Sequence, residues 1–510
     1  MSRLAIGLGV GTAAVLAISG AVLLAPAWAQ RPAFPIRMPA PAAAATITAA
    51  PAYNDPAYVV PSDPLSLPLR ADQIALLRRT LDGAGDHGLD AAAYVPAGLD
   101  QRLAERDPLP RAEGQRMLVA SVLRYAQAVR AGRLAPNNFS KDWSLRPAPY
   151  NATADLRAAL SQNQLAAWLD GLEPPYAGYA TLQQGLTAYR RIAAAGGWPV
   201  VPAGPALKEG VQDPRVPLLR ARLTAENRTV PGAGDAIFDR SLTAGVMRAQ
   251  KRFGLEPTGI VDRATLAALN TPVEERVGQI VANMERWRWL PAALPADRIQ
   301  VNIAAAVLTV FRGDNPTMSM RAVTGRPADP TPMLTSVVHS IVLNPPWNVP
   351  AGIAAKELYP KGADYLARNG FINIPTGDGG FRLQQRAGTL SALGRIKFDF
   401  DNPYAVYLHD TPTKATFERY GRLASHGCVR LEKPLLLARA VLEGDPVWTP
   451  EAIDQTIAGG QTVRVPLSRP VSVFLLYWTA YQGPDGQMNF RADPYGWDRD
   501  LLRRLNGSPV

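Results

Sequence analysis

The hydrophobic pattern changes period along the chain. Residues 4–24 are apolar almost without interruption after Arg3, a run about long enough to span a bilayer. Residues 30–60 are rich in Pro and Ala with few large apolar residues, the composition of an unstructured tether. From about 61 to 205 the apolar positions fall three and four apart: Ile74, Leu77 and Leu81; Leu118, Val122, Tyr125 and Val129; Leu182, Leu186 and Tyr189. That spacing lines one face of a helix, and Gly132 and Gly196-Gly197 read as stops. An all-helical scaffold domain without catalytic residues of its own is expected. Residues 206–272 repeat the pattern in shorter pieces: Val216, Leu219 and Leu223, then Val246, Ala249 and Phe253, then a third helix over 262–269 with Asp262 as its cap.

After about residue 290 the period drops to two. Ile299, Val301 and Ile303 alternate with polar positions, as do Val307, Thr309 and Phe311. Further strand-like runs lie at 337–343, 405–409, 462–465 and 471–481, the last meeting the turn Gly483-Pro484-Asp485-Gly486 before 488–491. The expected fold class is multidomain α+β: a helical scaffold, a small three-helix domain, and a β-rich sandwich or partly open barrel over 273–510. Residues 351–400 interrupt the strands with a helical piece at 354–369 and a polar, Gly-rich stretch at 376–380. Lying between two strand signals, this insertion should project from one end of the sheet as a lid.

Composition narrows the class. The chain has 510 residues, 47% hydrophobic and 19% charged, enough for about three globular domains. Ala27-Trp28-Ala29 places small residues where a signal peptidase reads, so residues 1–29 are read as a secretory signal. A retained anchor, tethering the chain to a membrane, is the alternative. Both put the body of the chain outside the cytoplasm, in the periplasm or cell envelope. The net charge of +11 comes from scattered Arg residues rather than a basic block, and no nucleic-acid motif accompanies it, which argues against a nucleic-acid partner.

An exported chain usually pairs its cysteines, yet this one has a single cysteine, Cys428. Two of its four histidines are near it. His409 ends the run Tyr404-Ala405-Val406-Tyr407-Leu408-His409, and Cys428 lies in Ser425-His426-Gly427-Cys428-Val429-Arg430. A thiol attacks as thiolate, and a neighbouring imidazole can take its proton and hold the ion pair. Gly427 lets the loop bend so that N–H groups beside Cys428 face a substrate carbonyl and stabilise an oxyanion. Arg430 has two readings, holding the loop or binding a substrate carboxylate. No close cysteine pair, His-Glu-x-x-His pattern or carboxylate cluster accompanies these residues, so neither a metal nor another cofactor is expected. His87 and His339 read as structural or solvated. The bland alternative for Cys428 is a small buried hydrophobe.

These residues carry a resemblance. Leu408-His409-Asp410-Thr411-Pro412, followed nineteen residues after the histidine by Cys428 in Ser-His-Gly-Cys-Val-Arg, resembles the signature of the YkuD-type L,D-transpeptidase domain. Met284-Glu285-Arg286-Trp287-Arg288-Trp289-Leu290-Pro291, Thr324-Gly325-Arg326 with Thr331-Pro332, and Asn344-Pro345-Pro346-Trp347 are similar to the large multidomain, YcbB-like branch. The stretch 249–255, with 258–262 and Thr265-Leu266, resembles a small three-helix peptidoglycan-binding domain. The resemblance implies Cys428 as acyl-accepting nucleophile and His409 as general base. His426 and Gly427 would shape the oxyanion loop, with the Gly427 and Cys428 N–H groups as donors. The Asp410 carbonyl would orient the imidazole, and Ser425 and Arg430 would support the motif. It further implies 3→3 crosslinking of peptidoglycan stem peptides, from a tetrapeptide donor to a diamino-acid acceptor, and thioester formation with carbapenems. Water as acceptor (an L,D-carboxypeptidase or hydrolase) and a protein amine as acceptor (an anchoring enzyme) share the acyl half of the reaction. A non-catalytic wall-binding protein is the reading from another class.

Overall fold

The computed structural model describes residues 69–226, 230, 236–377 and 379–507. The expected signal and tether lie outside the described residues. In the helical region the predicted faces are the buried ones: Leu77 and Leu81 on helix Ala71–Asp82, and Leu118, Val122, Tyr125 and Val129 on helix Pro108–Ala131. Asp107 caps the second helix by accepting from the Leu109 N–H at 3.1 Å. Pro108 follows at the first helical position, where a missing N–H costs no hydrogen bond. Leu182, Leu186 and Tyr189 on helix Ala177–Ala194 join a different core, built with helices Val216–Thr224, Arg240–Arg252 and Val273–Trp287. Helix Arg263–Leu269 is capped as expected, Asp262 accepting from the Thr265 N–H at 2.7 Å. Among the described residues no helix is long and apolar enough to cross a membrane.

The strands are β1 Asp297–Asn302, β2 Val307–Arg312, β3 Asn315–Gly325, β4 Leu334–Leu343, β5 Trp347–Asn348, β6 Phe371–Pro375, β7 Phe381–Gln385, β8 Ile396–Phe400, β9 Leu408–His409, β10 Leu423–Ser425, β11 Val429–Leu431, β12 Val463–Leu476, β13 Ala480–Gln482 and β14 Met488–Phe490. The main sheet runs β10-β3-β11-β9-β8-β4-β12-β1-β2, and β2 pairs again with β3, so the sheet closes on itself. Alternation decides which residues fill the interior. Leu308 and Val310 of β2, Ile396, Phe398 and Phe400 of β8, and Val429 and Leu431 of β11 are buried in one core, each contributing roughly 1.5–3 kcal/mol on full burial. Helices Pro434–Val441 and Pro450–Gly459 add Leu437 and Ile453 to it.

Four expectations change. The run predicted at 405–409 shrinks to β9, because Ala405 adopts a left-handed φ of 53°. The Asn402 amide also takes the Val406 N–H and C=O at 3.0 and 2.8 Å in place of a ladder partner. The two runs 462–465 and 471–481 are largely one strand, β12, whose pairing with β4 shifts register between Pro466 and Val471. Prolines cannot donate to the ladder, and a bulge accommodates them. β8, assigned from sequence to the insertion, is instead a full member of the main sheet, paired with β4 and β9. The excursion between β4 and β8 is also not simply helical. Besides helices Ala351–Ile353 and Ala363–Arg368 it carries its own sheet, β5-β7-β6.

Candidate active site

The nineteen residues between His409 and Cys428 are spanned by a parallel pairing of neighbours. β9 and β11 pair with Val429 opposite Leu408 and Arg430 opposite His409. The Val429 N–H donates to the Tyr407 carbonyl at 3.1 Å, which sets Cys428 beside Tyr407. Leu408, Val429 and Leu431 belong to the core, so by the period of two Tyr407, His409, Cys428 and Arg430 share the opposite face. Thiol and imidazole are therefore diagonal neighbours across two strands, roughly 7–8 Å apart at the backbone. β8 supplies Lys397 opposite His409, its ammonium 4.3 Å from the Tyr407 ring centre and 2.6 Å from Asp399.

The nucleophile loop is held from beneath. Gly427 sits at φ 104°, a region that an L side chain rarely adopts. Its carbonyl accepts from the Thr331 hydroxyl at 2.7 Å, and that hydroxyl accepts from the Gly325 N–H at 2.8 Å. The Ser425 hydroxyl donates to the Cys428 carbonyl and accepts from the Gly427 N–H at 3.2 Å. The Gly427 N–H, expected to face a substrate carbonyl, is thus turned into the loop instead. The Cys428 N–H has no partner among the described residues and is the donor left for an oxyanion.

His409 is 4% exposed, and its Nδ1 is bonded to the Asp410 carbonyl. A carbonyl only accepts, so Nδ1 carries the proton and Nε2 keeps its lone pair. The Asp410 carboxylate is itself fixed by the Arg395 and Thr411 N–H groups at 2.8 and 2.7 Å and by Lys414 at 2.6 Å. Burial first, then the Arg430 charge, bring the imidazole down to about 3 against the pull of the Asp410 carbonyl, with Lys397 adding a smaller push downward. Burial pushes the Cys428 thiol up, opposed by the Tyr407 N–H and hydroxyl and by Lys397 and Arg430. Burial thus works toward the neutral form of both the thiol and the imidazole. Proton transfer belongs to the step in which a substrate is attacked.

Arg430 is half-buried on this face, and its guanidinium makes no hydrogen bond or ion pair among the described residues. His426 turns away from the sheet to the excursion, its Nε2 2.7 Å from Glu357. Glu357 also meets Arg326 at 3.3 Å, and Arg326 pairs with Asp329 at 2.5 Å. The excursion thus meets the nucleophile loop through Glu357 and His426. His87 is buried, with Nδ1 3.0 Å from the Tyr179 hydroxyl, and His339 lies half-exposed 3.5 Å from Asp401. Sequence reasoning did not assign Tyr407, Thr331 or Glu357 to the site. Tyr407 carried a signal, being two residues before His409 and so on its face of the strand, and Thr331 stood in a segment that carried the resemblance.

Three family models match separate stretches of the chain. Residues 296–448 match the YkuD model, the L,D-transpeptidase catalytic domain, residues 68–186 the scaffold domain model, and residues 212–269 the model described as "Putative peptidoglycan binding domain". A Haemophilus influenzae protein described as "Putative L,D-transpeptidase" is 32% identical over 257 residues, 46% of this chain and 52% of that protein. The chain thus spans about half the length of this curated relative. Among solved structures, an L,D-transpeptidase from Mycobacterium smegmatis aligns at 15% identity and a TM-score of 0.19, over 36% of this chain and 58% of that one. The catalytic domain of an E. faecium L,D-transpeptidase acylated by ertapenem aligns at 12% identity and a TM-score of 0.18, over 36% and 99%.

Proposed function

We propose, from the premise that the chain carries a YkuD-type L,D-transpeptidase catalytic domain with scaffold and peptidoglycan-binding domains, that it is a cell-envelope enzyme forming 3→3 crosslinks through a thioester on Cys428. The observation that carries this reading is the placing of Cys428 and His409 on one sheet face, the imidazole tautomer fixed by Asp410 so that its lone pair is available. The donor is a tetrapeptide stem. As the thiol attacks the L,D amide before the terminal D-Ala, His409 Nε2 takes its proton. The oxyanion forms against the Cys428 N–H. The tetrahedral species collapses when His409 returns the proton to the departing amine of D-Ala. The thioester then passes to the side-chain amine of a second stem. A dry cleft favours this amine over water, which is the role assigned to the excursion between β4 and β8 as a lid. Residues 1–29 would export the chain to its substrate.

The test is the intact mass of the protein after exposure to tetrapeptide or to a carbapenem such as ertapenem. A covalent adduct on Cys428 is expected, with D-Ala released from the peptide and both lost in Cys428→Ala. Continued release of D-Ala by Cys428→Ala overturns the assignment. Muropeptide products containing a 3→3 linkage separate crosslinking from release to water or attachment to a protein amine.

A further inference from the structure

Two imidazoles flank the thiol, and their surroundings are opposite. His409 is dry and tied to a carbonyl. The His426 side chain is 28% exposed, two residues before Cys428, and tied to a carboxylate. The thioester cycle proposed above explains the first and leaves the second without a task. That cycle has a second proton problem. The acceptor amine of a diamino acid arrives at neutral pH as an ammonium, without a lone pair, and must lose one proton before it can attack.

We infer that Glu357 and His426 form an acceptor-side dyad, in which Glu357 orients His426 to deprotonate the incoming ammonium. The hydrogen bond at 2.7 Å makes Nε2 the donor to the carboxylate and leaves the Nδ1 lone pair as proton acceptor. Glu357 is reached from the lid through a π-helical turn, Ala354–Leu358, a backbone irregularity frequent at functional sites. The charged groups facing the dyad are Arg326, 3.3 Å from Glu357, and Asp329 behind it. The hydrogen bond from His426 first, and then Arg326, hold the Glu357 carboxyl below its ordinary range, which favours its anion. Its charge draws a cation into the cleft on the lid side.

The proton count closes. His426 removes one proton from the ammonium and releases it to solvent through its exposed edge. The neutral amine attacks the thioester carbon, the N–C bond forms and the C–S bond breaks. A second N–H proton passes through His409 to the departing sulfur, restoring thiol and imidazole. Glu357 is a positioning residue in this scheme, acting through His426.

This inference rests on the proposed thioester, and the experiment separates the two. Full-length chain acylated by tetrapeptide donor is offered either a diamino-acid stem or hydroxylamine, which is already unprotonated at neutral pH. The ratio of amide to hydroxamate product is measured. In Glu357→Gln that ratio falls about tenfold or more, less than the roughly hundredfold or larger contribution of a proton-transfer group itself because Glu357 acts through His426, and Glu357→Asp restores part of it. An unchanged ratio in Glu357→Gln overturns the dyad, as does an equal loss of both products. Failure of the unaltered chain to acylate at all overturns the thioester reading and the dyad with it.

Discussion

Thr331 is a buried hydroxyl that joins two backbone segments, the Gly325 N–H and the Gly427 carbonyl, directly beneath the nucleophile loop. Thr331→Val keeps the shape and leaves both groups without a partner, which costs about 1–3 kcal/mol each at most. A fall in stability of that order is expected by urea denaturation, with slower acylation of Cys428 as the loop loosens. Unchanged acylation would mean that Ser425 holds the loop alone. His409 makes a second prediction, through pH. Its folded value of about 3 lies below the ordinary imidazole value of about 6.5. Between those values the unfolded chain binds a proton that the folded chain refuses, so the stability is complete above about pH 6.5 and declines as pH falls toward 3. His87, brought down to about 4 by burial and then by Arg288, acts in the same direction. Stability curves of His409→Gln and the unaltered chain should converge as pH drops from 7 to 4; parallel curves would show that His409 is not held neutral. What sequence singled out was Cys428 and His409, a lone thiol with an imidazole nineteen residues before it, and the register sets them on one face of the sheet. The task of Thr331 was not legible: the residue entered only as part of a resemblance, and its hydroxyl shows its use once the Gly427 carbonyl is found above it.

Elements were legible in proportion to how simply their period ran. Helices with three or four apolar residues on one face came out where expected, as did β1, β2 and β4. The failures at β9 and β12 share one cause: backbone groups satisfied by something other than a regular ladder. Asn402 replaces part of β9, the prolines of β12 are absorbed in a register shift, and the alternation Ile396, Phe398, Phe400 was hidden by assigning it to the lid. The junction where the lid returns to the sheet is correspondingly sensitive. Gly394 stands at φ 61°, and a β-carbon there would fall 2.3 Å from the Asp410 carboxylate. Gly394→Ala must displace the carboxylate that braces the residue orienting His409. A loss of about 1–3 kcal/mol is expected from the left-handed backbone and the clash together, measured by thermal melting. The rate of carbapenem acylation should drop further than a Gly→Ala change in an exposed turn such as Gly313 would cause.

At the scale of the molecule, the segment quoted from sequence as Met284-Glu285-Arg286-Trp287-Arg288-Trp289 proves to be a joint. Glu285 is fully buried and accepts from the Arg133 N–H at 2.7 Å, the Leu134 N–H at 3.3 Å and the Trp289 indole at 3.4 Å, while pairing with Arg288 at 2.8 Å. Arg288 reaches on to the His87 carbonyl and to the Tyr179 hydroxyl at 3.0 Å. Arg286 turns the other way, to Asp498 at 2.6 Å on the last helix, Trp497–Leu505. One helical turn therefore ties the end of helix Pro108–Ala131, helix Ala177–Ala194 and the C-terminal helix to the residues that lead into β1. The motif was visible in sequence only as a resemblance, because charged residues on a helix ordinarily read as a solvated face. Their burial follows from partners more than a hundred residues away. Glu285→Gln removes the only carboxylate bonded to Arg288 among the described residues and leaves a buried cation uncompensated, which costs about 3–5 kcal/mol. The cost falls on the joint, not on any one core, so unfolding should lose cooperativity: fluorescence from the tryptophans at the joint should change at lower urea than the loss of sheet signal in circular dichroism. A single transition, merely shifted, would mean that the three cores hold together through their apolar contacts and that the charged joint serves only to set their register.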